Sequence, residues 1–123
     1  MREILFRGKD IANNWHYGVP LVFTEDYVCI TAPHTYNKAV IPETVGQYTG
    51  LTDKNGKKIF EGDILKGSWN TVLIVFYDDI SASYRVKTPL GSEREISYYG
   101  DQNHLEIIGN IHDNPELLEG ENE

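Results

Sequence analysis

The sequence predicts a mainly β protein, with a small SH3-like barrel in its C-terminal half, an N-terminal β extension and few short helices. Apolar residues occur in short runs rather than at helical spacing, and β-branched and aromatic residues are common within these runs. Gly, Pro, Asn and Asp separate the runs, as expected for strands joined by turns. The longest apolar run, Val72–Tyr77, has the length of a strand.

The chain length predicts one domain. The 123 residues are close to the commonest size of a single domain, and no internal repeat or low-complexity linker divides them. We divide this domain into a β arm (residues 1–45), a barrel-like core (46–112) and an acidic tail (113–123).

Three strands are predicted in the arm: one around Ile4 and Phe6, a second over Trp15–Phe23 and a third over Tyr27–Thr31, paired to the second. Pro20 should place the second strand at an edge or a bend, because proline cannot donate to a sheet. Residues Pro42–Val45 have the pattern of a single helical turn.

A tight hairpin is the clearest local prediction, over Leu51–Phe60. Asn55 and Gly56 accept positive φ, and the carboxylate of Asp53 can hydrogen-bond the turn backbone. Five short strands and a terminal helical turn then follow, which is the number and spacing of an SH3-like barrel. The segments are Ile64–Lys66, Asn70–Tyr77, Ser83–Thr88, Glu93–Tyr98, Leu105–Ile111 and, for the helical turn, Asn114–Leu118.

The charge is unevenly distributed. The net charge is −8, and the segment from Tyr99 to Glu123 contains seven acids and no Lys or Arg. This pattern argues against broad binding of a nucleic-acid backbone, which requires clustered cations. We interpret the acidic end as a solvated tail, with partner binding or DNA mimicry as the alternative.

The N-terminus lacks the pattern of a signal peptide, and no apolar run approaches the roughly 20 residues of a membrane span. Cys29 is the only cysteine, so no internal disulfide can form. We therefore expect a cytoplasmic protein with no membrane partner.

No catalytic constellation, metal site or cofactor motif is predicted. Glu61 and Asp63 form an acidic pair across Gly62, but no third ligand lies nearby in sequence. The four histidines are scattered, and Cys29 sits in an apolar strand where a thiol is usually buried. No nucleophile elbow or phosphate-binding glycine loop occurs.

A candidate binding surface is predicted around the hairpin, where polar side chains gather near exposed turns. Turn formation alone is the alternative explanation of the same residues. The candidate residues are Tyr48, Thr49, Asp53, Asn55, Glu61 and Asp63.

The segment Ile41–Leu65 resembles the signature of the YopX family of phage and prophage proteins. The opening Arg2–Arg7 and the closing Glu106–Leu118 are similar to the two ends of that family. The resemblance implies a phage or prophage origin in a bacterial host cell and a β-dominated fold. It implies no enzymatic activity and transfers no catalytic residue.

Three functions follow as hypotheses. The first is a non-enzymatic, homo-oligomeric module that binds itself and an unknown host or phage protein. The second is a nucleic-acid binder that uses the SH3-like region, where Lys54, Lys57, Lys58 and Lys66 form the one basic cluster. The third is a small-molecule or nucleotide sponge that counters host defence.

Overall fold

The computed structural model describes residues 3–33, 36–99 and 103–119. The fold is mainly β, with eleven strands in antiparallel sheets, three short 3₁₀ turns and a tight turn at Ser68–Asn70 within the described residues. Contacts divide the chain into two compact units, Met1–Tyr48 and Thr49–Glu123. The mainly β prediction is therefore confirmed.

The first unit is an antiparallel sheet in the order β4-β3-β2-β1, followed by the beginning of β5. A 3₁₀ turn at Pro42–Thr44 confirms the predicted helical turn. The strands are β1 (Phe6–Lys9), β2 (Trp15–Thr24), β3 (Tyr27–Thr31), β4 (Lys38–Val40) and β5 (Gly46–Thr52). Its core packs the buried side chains of Val28, Ile30 and Val40 against Phe6 and Val45.

Strand β2 lies between β1 and β3 and is therefore not an edge strand along its whole length. Its pairing with β1 ends at Gly18, whereas its pairing with β3 begins at Val19 and includes Pro20. Pro20 thus pairs on one side only, which a residue without an N–H group tolerates. The predicted edge position holds locally, for the part of β2 that extends past β1.

The second unit begins with the rest of β5, continues through β6 and adds a five-stranded antiparallel sheet in the order β10-β9-β8-β7-β11. The strands are β6 (Lys58–Phe60), β7 (Asp63–Lys66), β8 (Val72–Asp78), β9 (Ser83–Lys87), β10 (Glu93–Glu95) and β11 (Glu106–Asn110). The predicted five strands are present, and a 3₁₀ turn at Pro115–Leu118 confirms the terminal helical turn. The sheet is not closed, because no pairing joins β10 to β11 among the described residues.

The predicted strand Glu93–Tyr98 is wrong in its second half. Strand β10 ends at Glu95, and a 3₁₀ turn follows over Ile96–Tyr99. The three residues of β10 are exposed, whereas Ile96 is buried in the core of this unit. The chain turns inward to bury this apolar side chain.

The core of the second unit is aliphatic. Its buried residues include Ile59, Leu65, Leu73, Val86 and Leu105, each at most 2% exposed. These residues come from β6, β7, β8, β9 and the position before β11, so the core joins the hairpin to the sheet. Burial of each such side chain contributes roughly 1.5–3 kcal/mol.

Candidate functional site

The predicted hairpin is present and is held by Asp53. One carboxylate oxygen, Oδ1, accepts hydrogen bonds from the backbone N–H groups of Asn55 and Lys57, both at 2.9 Å. The N–H of Gly56, at φ 79°, donates to the Asp53 carbonyl at 3.0 Å. The predicted role of Asp53 in the turn is confirmed.

The second carboxylate oxygen of Asp53 makes a contact that the sequence did not indicate. Oδ2 accepts a hydrogen bond from the backbone N–H of Ile107 at 3.0 Å. Next to it, the N–H of Lys54 donates to the carbonyl of Leu105 at 2.8 Å. The hairpin tip is thereby fastened to the start of β11.

The ionisation of Asp53 reflects these contacts. Burial on its own would raise the pKa of this carboxyl, since the side chain is only 3% exposed. Hydrogen bonds from Ile107, Lys57 and Asn55, together with the charge of Lys57, outweigh burial and hold the pKa of Asp53 below its ordinary value. Asp53 is therefore ionised, and its carboxylate accepts hydrogen bonds from three backbone N–H groups.

Glu61 and Asp63, the predicted acidic pair, differ in burial and in their contacts. Asp63 is 2% exposed, and its Oδ2 accepts a hydrogen bond from the N–H of Phe60 at 2.7 Å. Glu61 is half-buried, and Gly62 between them has φ 92°. Within the described ranges, no group of three His, Cys, Asp or Glu side chains is arranged to hold a metal ion.

The other predicted residues differ in accessibility. Thr49 is half-buried, and its hydroxyl donates to the carbonyl of Ile59 at 2.8 Å. Tyr48 is buried in the first unit, where its N–H donates to the carbonyl of Leu5 at 2.8 Å. Asn55 is the one member of the six that is exposed. A binding role of these six residues stays a prediction. The hydrogen bonds described above all join them to backbone groups.

The predicted basic cluster has an acid beside it. The Nζ of Lys54 lies 3.4 Å from Oε1 of Glu106, and Lys66 stands directly opposite Glu106 in the pairing of β7 with β11. Lys57 and Lys58 are exposed on the hairpin. Glu106 reduces the positive potential that a phosphate backbone would encounter here.

A surface that the sequence interpretation did not single out lies on the β2–β3 hairpin. Alternate residues of β2 project to one side of the sheet, and Leu21 stands opposite Cys29 of β3. The rings of Phe23 and Tyr27 lie 5.4 Å apart, centroid to centroid. We call this surface the β2–β3 apolar face, and its members are Tyr17, Val19, Leu21, Phe23 and Tyr27, which are 40–60% exposed.

Alternation of large apolar residues at positions 17, 19, 21 and 23 was the available signal for this face. Such alternation predicts that one side of a strand is apolar, but that side is normally buried. Here the opposite side of the hairpin contributes Val28 and Ile30 of β3 to the core, while Leu21 and its neighbours on β2 stay exposed.

Cys29 is buried within β3, as its apolar sequence context predicted. A hydrogen bond and charge repulsion involving Cys29, followed by a smaller effect of burial, raise the pKa of Tyr27. The phenol therefore stays neutral at physiological pH.

A polar pair closes the turn between β1 and β2. Oδ2 of Asp10 lies 2.8 Å from Nε2 of His16, and Oδ1 accepts hydrogen bonds from the N–H groups of Ala12 (2.8 Å) and Asn14 (2.9 Å). The hydrogen bond with His16 first, and then the backbone donors, lower the pKa of Asp10 from 3.8 to about 2. Asp10 is thus an anion at neutral pH and orients the His16 ring.

These features define the class of protein: a small two-unit protein of open antiparallel sheets. It has an exposed apolar hairpin, and its buried or half-buried Asp side chains hydrogen-bond the backbone of turns. The family model described as YopX protein matches residues 6–119, nearly the whole chain, and the chain belongs to the YopX family. The resemblance predicted from the Ile41–Leu65 segment is confirmed.

A solved structure is also similar over nearly the whole chain. The crystal structure of protein EF1440 from Enterococcus faecalis shares 26% sequence identity with this chain at a TM-score of 0.60. The match covers 97% of this chain and 100% of that one. A search of curated proteins gave no match. In the part of the chain that the structure describes, no helix is long and apolar enough to cross a membrane.

Proposed function

We propose that this chain is a phage or prophage accessory protein that works as a non-enzymatic, homo-oligomeric binding module in the bacterial cytoplasm. The observation that carries the proposal is the β2–β3 apolar face, whose five large side chains are 40–60% exposed. Contiguous exposed apolar surface typically marks a protein–protein contact. Membership of the YopX family supports the phage origin.

A second copy of the chain is the partner that we propose for this face. Residues 1–48 carry five acids and four bases, a net charge of −1, whereas residues 49–123 carry fourteen acids and seven bases, a net charge of −7. Two copies that meet through the first unit therefore avoid most of the repulsion between the acidic units. An apolar patch can also pair with itself about a two-fold axis.

Light scattering after size exclusion tests this proposal. We expect the wild-type protein to be an oligomer and the double variant Leu21→Asp/Phe23→Asp to be a monomer, since two charges would be buried at each contact. Leu90→Asp is the matched control, because Leu90 is 69% exposed in the second unit. A monomeric wild-type protein would refute self-association, as would a double variant of unchanged mass.

Circular dichroism of each variant separates loss of assembly from loss of folding. Val19→Ser is the milder variant for the case in which the double variant does not fold, because it removes apolar area without adding charge. We expect it to weaken assembly, so that the oligomer dissociates at a higher protein concentration than the wild type does. An unchanged dissociation curve would argue against the β2–β3 apolar face as the site of self-association.

We also propose that the second unit is an SH3-like barrel. Strands β7 to β10 follow one another as neighbours, and β11 returns to pair with β7 after a 3₁₀ turn. This order suits a five-stranded SH3-like barrel that is left open between β10 and β11. Nucleic-acid binding would follow from that fold only by analogy, and Glu106 beside Lys54 and Lys66 works against it.

A further inference from the structure

A pocket of about 290 Å³ lies in the Met1–Tyr48 unit. This volume is near the lower end of the range for small-molecule sites and fits a ligand of modest size. Strands β2, β3 and β4 all contribute to its lining. The lining residues that matter here are Trp15, His16, Tyr17, Ile30, Tyr36 and Lys38.

Three of the lining side chains are aromatic. Trp15 is half-buried, Tyr17 is about half exposed, and Tyr36 is 86% exposed beside the pocket. An aromatic ring with this much exposure retains most of its apolar surface for contact with a ligand. A planar ligand can stack on such rings, and stacking tolerates any base because every base has a π-face.

The charged groups around the pocket are mostly cationic. Lys38 lines it directly and makes no ion pair with any residue that the structure describes. On the Trp15 side, the guanidinium carbon of Arg7 lies 4.7 Å and the Nζ of Lys9 lies 5.9 Å from the ring centroid. The nearby acid, Asp10, is held by His16 and by the backbone of its own turn.

His16 provides a fixed polar group in the lining. Because the Asp10 carboxylate is ionised and can only accept, Nε2 of His16 carries the proton of their 2.8 Å hydrogen bond. In the form of the ring that carries this single proton, Nδ1 is an acceptor, which can receive a hydrogen from a donor such as an exocyclic amino group. Aromatic surface, one oriented acceptor and an available ammonium group therefore meet at one pocket.

We propose that this pocket binds a small planar anion of the mononucleotide class, with the base stacked on the aromatic residues and the phosphate held by Lys38. The base faces Tyr36 and Tyr17, and the anionic group lies at the Lys38 end. This inference goes beyond the proposed self-association, because every residue that it uses lies within one chain. Tyr17 belongs both to this pocket and to the β2–β3 apolar face. The variants that test the pocket, at Tyr36 and Lys38, lie outside that face, so failure of one proposal can be distinguished from failure of the other.

Tryptophan fluorescence tests the proposal in a Trp69→Phe protein, in which Trp15 is the single remaining tryptophan. We expect saturable quenching by AMP, GMP, CMP and UMP. Adenosine, which lacks the phosphate, and ribose 5-phosphate, which lacks the base, should each bind at least tenfold more weakly than AMP. Equal binding of adenosine and AMP would refute the anion site, and equal binding of ribose 5-phosphate and AMP would refute stacking.

Two variants locate the site. Tyr36→Ala should weaken AMP binding roughly tenfold or more, the typical loss of one stacking residue. Lys38→Ala should weaken it at least threefold and reduce the effect of added salt. Both residues are exposed, so neither change should unfold the protein.

Tyr98→Ala and Lys57→Ala are the matched controls, because both residues are exposed in the other unit. We expect them to bind AMP as the parent protein does. Absence of saturable quenching by all four nucleotides at millimolar concentration would overturn the proposal. Wild-type affinity in both Tyr36→Ala and Lys38→Ala would also overturn it.

Discussion

The carboxylate of Asp53 accepts a hydrogen bond from the backbone N–H of Ile107, although 54 positions separate the two residues in the sequence. The same carboxylate accepts from two N–H groups of its own turn. One buried side chain therefore sets the hairpin conformation and fixes the hairpin to the last strand of the sheet. Loss of the Asp53 side chain should therefore affect both the hairpin and its attachment to β11.

We expect Asp53→Ala to lower the free energy of unfolding by about 3 kcal/mol, because three backbone donors lose a charged acceptor in a largely buried place. Urea denaturation measures this change. Asp53→Asn should cost less, about half as much, because an amide oxygen can still accept from the turn while its NH₂ group faces a backbone donor.

Asp78→Ala is the control for this prediction. Asp78 also holds a turn, but its hydrogen bonds, to the N–H of Ile80 and the hydroxyl of Ser81, are local and exposed. We expect a loss below about 1 kcal/mol, as for most surface substitutions. If the Asp53 and Asp78 variants lost equal stability, the hydrogen bond between Asp53 and Ile107 would add nothing to the free energy of unfolding beyond that of a local turn.

Acid should destabilise the protein through Asp53 and Asp10, whose pKa values are both lowered by folding. A carboxyl with a depressed pKa stabilises the folded state above its unfolded pKa, and this stabilisation is lost as the pH falls through the folded value. For Asp10 the window runs from 3.8 down to about 2. We expect stability to fall as the pH decreases through this window.

Thermal denaturation between pH 6 and pH 2 measures this effect. Asp10→Asn should flatten the lower part of the profile, because its amide does not titrate. Glu93→Gln is the control, since Glu93 is an exposed acid on β10. A profile of Asp10→Asn that falls as steeply as that of the wild type would contradict the assignment.

Local features of the fold could be predicted from the sequence, whereas long-range ones could not. The hairpin at Asn55–Gly56 and the turn at Pro42–Thr44 depend on the preferences of a few adjacent residues. The short β10 depends on the burial of Ile96, and the role of Asp53 depends on Ile107. Such effects require knowledge of which segments lie side by side.

The candidate site shows the same limit. Polar residues around the hairpin were visible in the sequence, but the burial of Asp53 and Asp63 was not. Alternation in β2 was equally visible, yet nothing in the sequence states which side of a strand will be covered. The pocket combines residues from three strands and was for that reason beyond prediction.

Trp69 occupies a backbone conformation that disfavours it. Its φ and ψ are 60° and 27°, and Asn70 follows at φ 57°. Positive φ at both central positions is what a type I′ turn between β7 and β8 requires, and Asn and Gly are the residues that suit it. A bulky side chain in this region costs about 1–2 kcal/mol.

We therefore expect Trp69→Asn to raise the free energy of unfolding by about 1 kcal/mol, because strain is relieved and a side chain that is 85% exposed loses little burial. Trp69→Phe keeps the strain and should leave stability unchanged. Urea denaturation of both variants provides the comparison. Destabilisation by Trp69→Asn would show that the Trp69 ring makes contacts that stabilise the fold.

Gly18 allows the close approach of β2 to β3. A Cβ atom at this position would overlap the carbonyl oxygen of Thr31 and lie 2.8 Å from its carbonyl carbon. Because the obstacle is backbone, a small rotation of a side chain cannot relieve it. Gly18→Ala should therefore disturb the pairing of Val19 with Thr31, next to Tyr17 of the pocket.

We expect Gly18→Ala to lower the free energy of unfolding by more than about 2 kcal/mol, within the range of overpacking in a rigid interior. Gly56→Ala is the matched control, because a Cβ there would meet nothing within 4 Å and the cost comes only from its φ of 79°. That strain should cost about 1 kcal/mol. Urea denaturation of both variants tests the difference, and an equal loss would mean that β3 moves away from Gly18 at little cost.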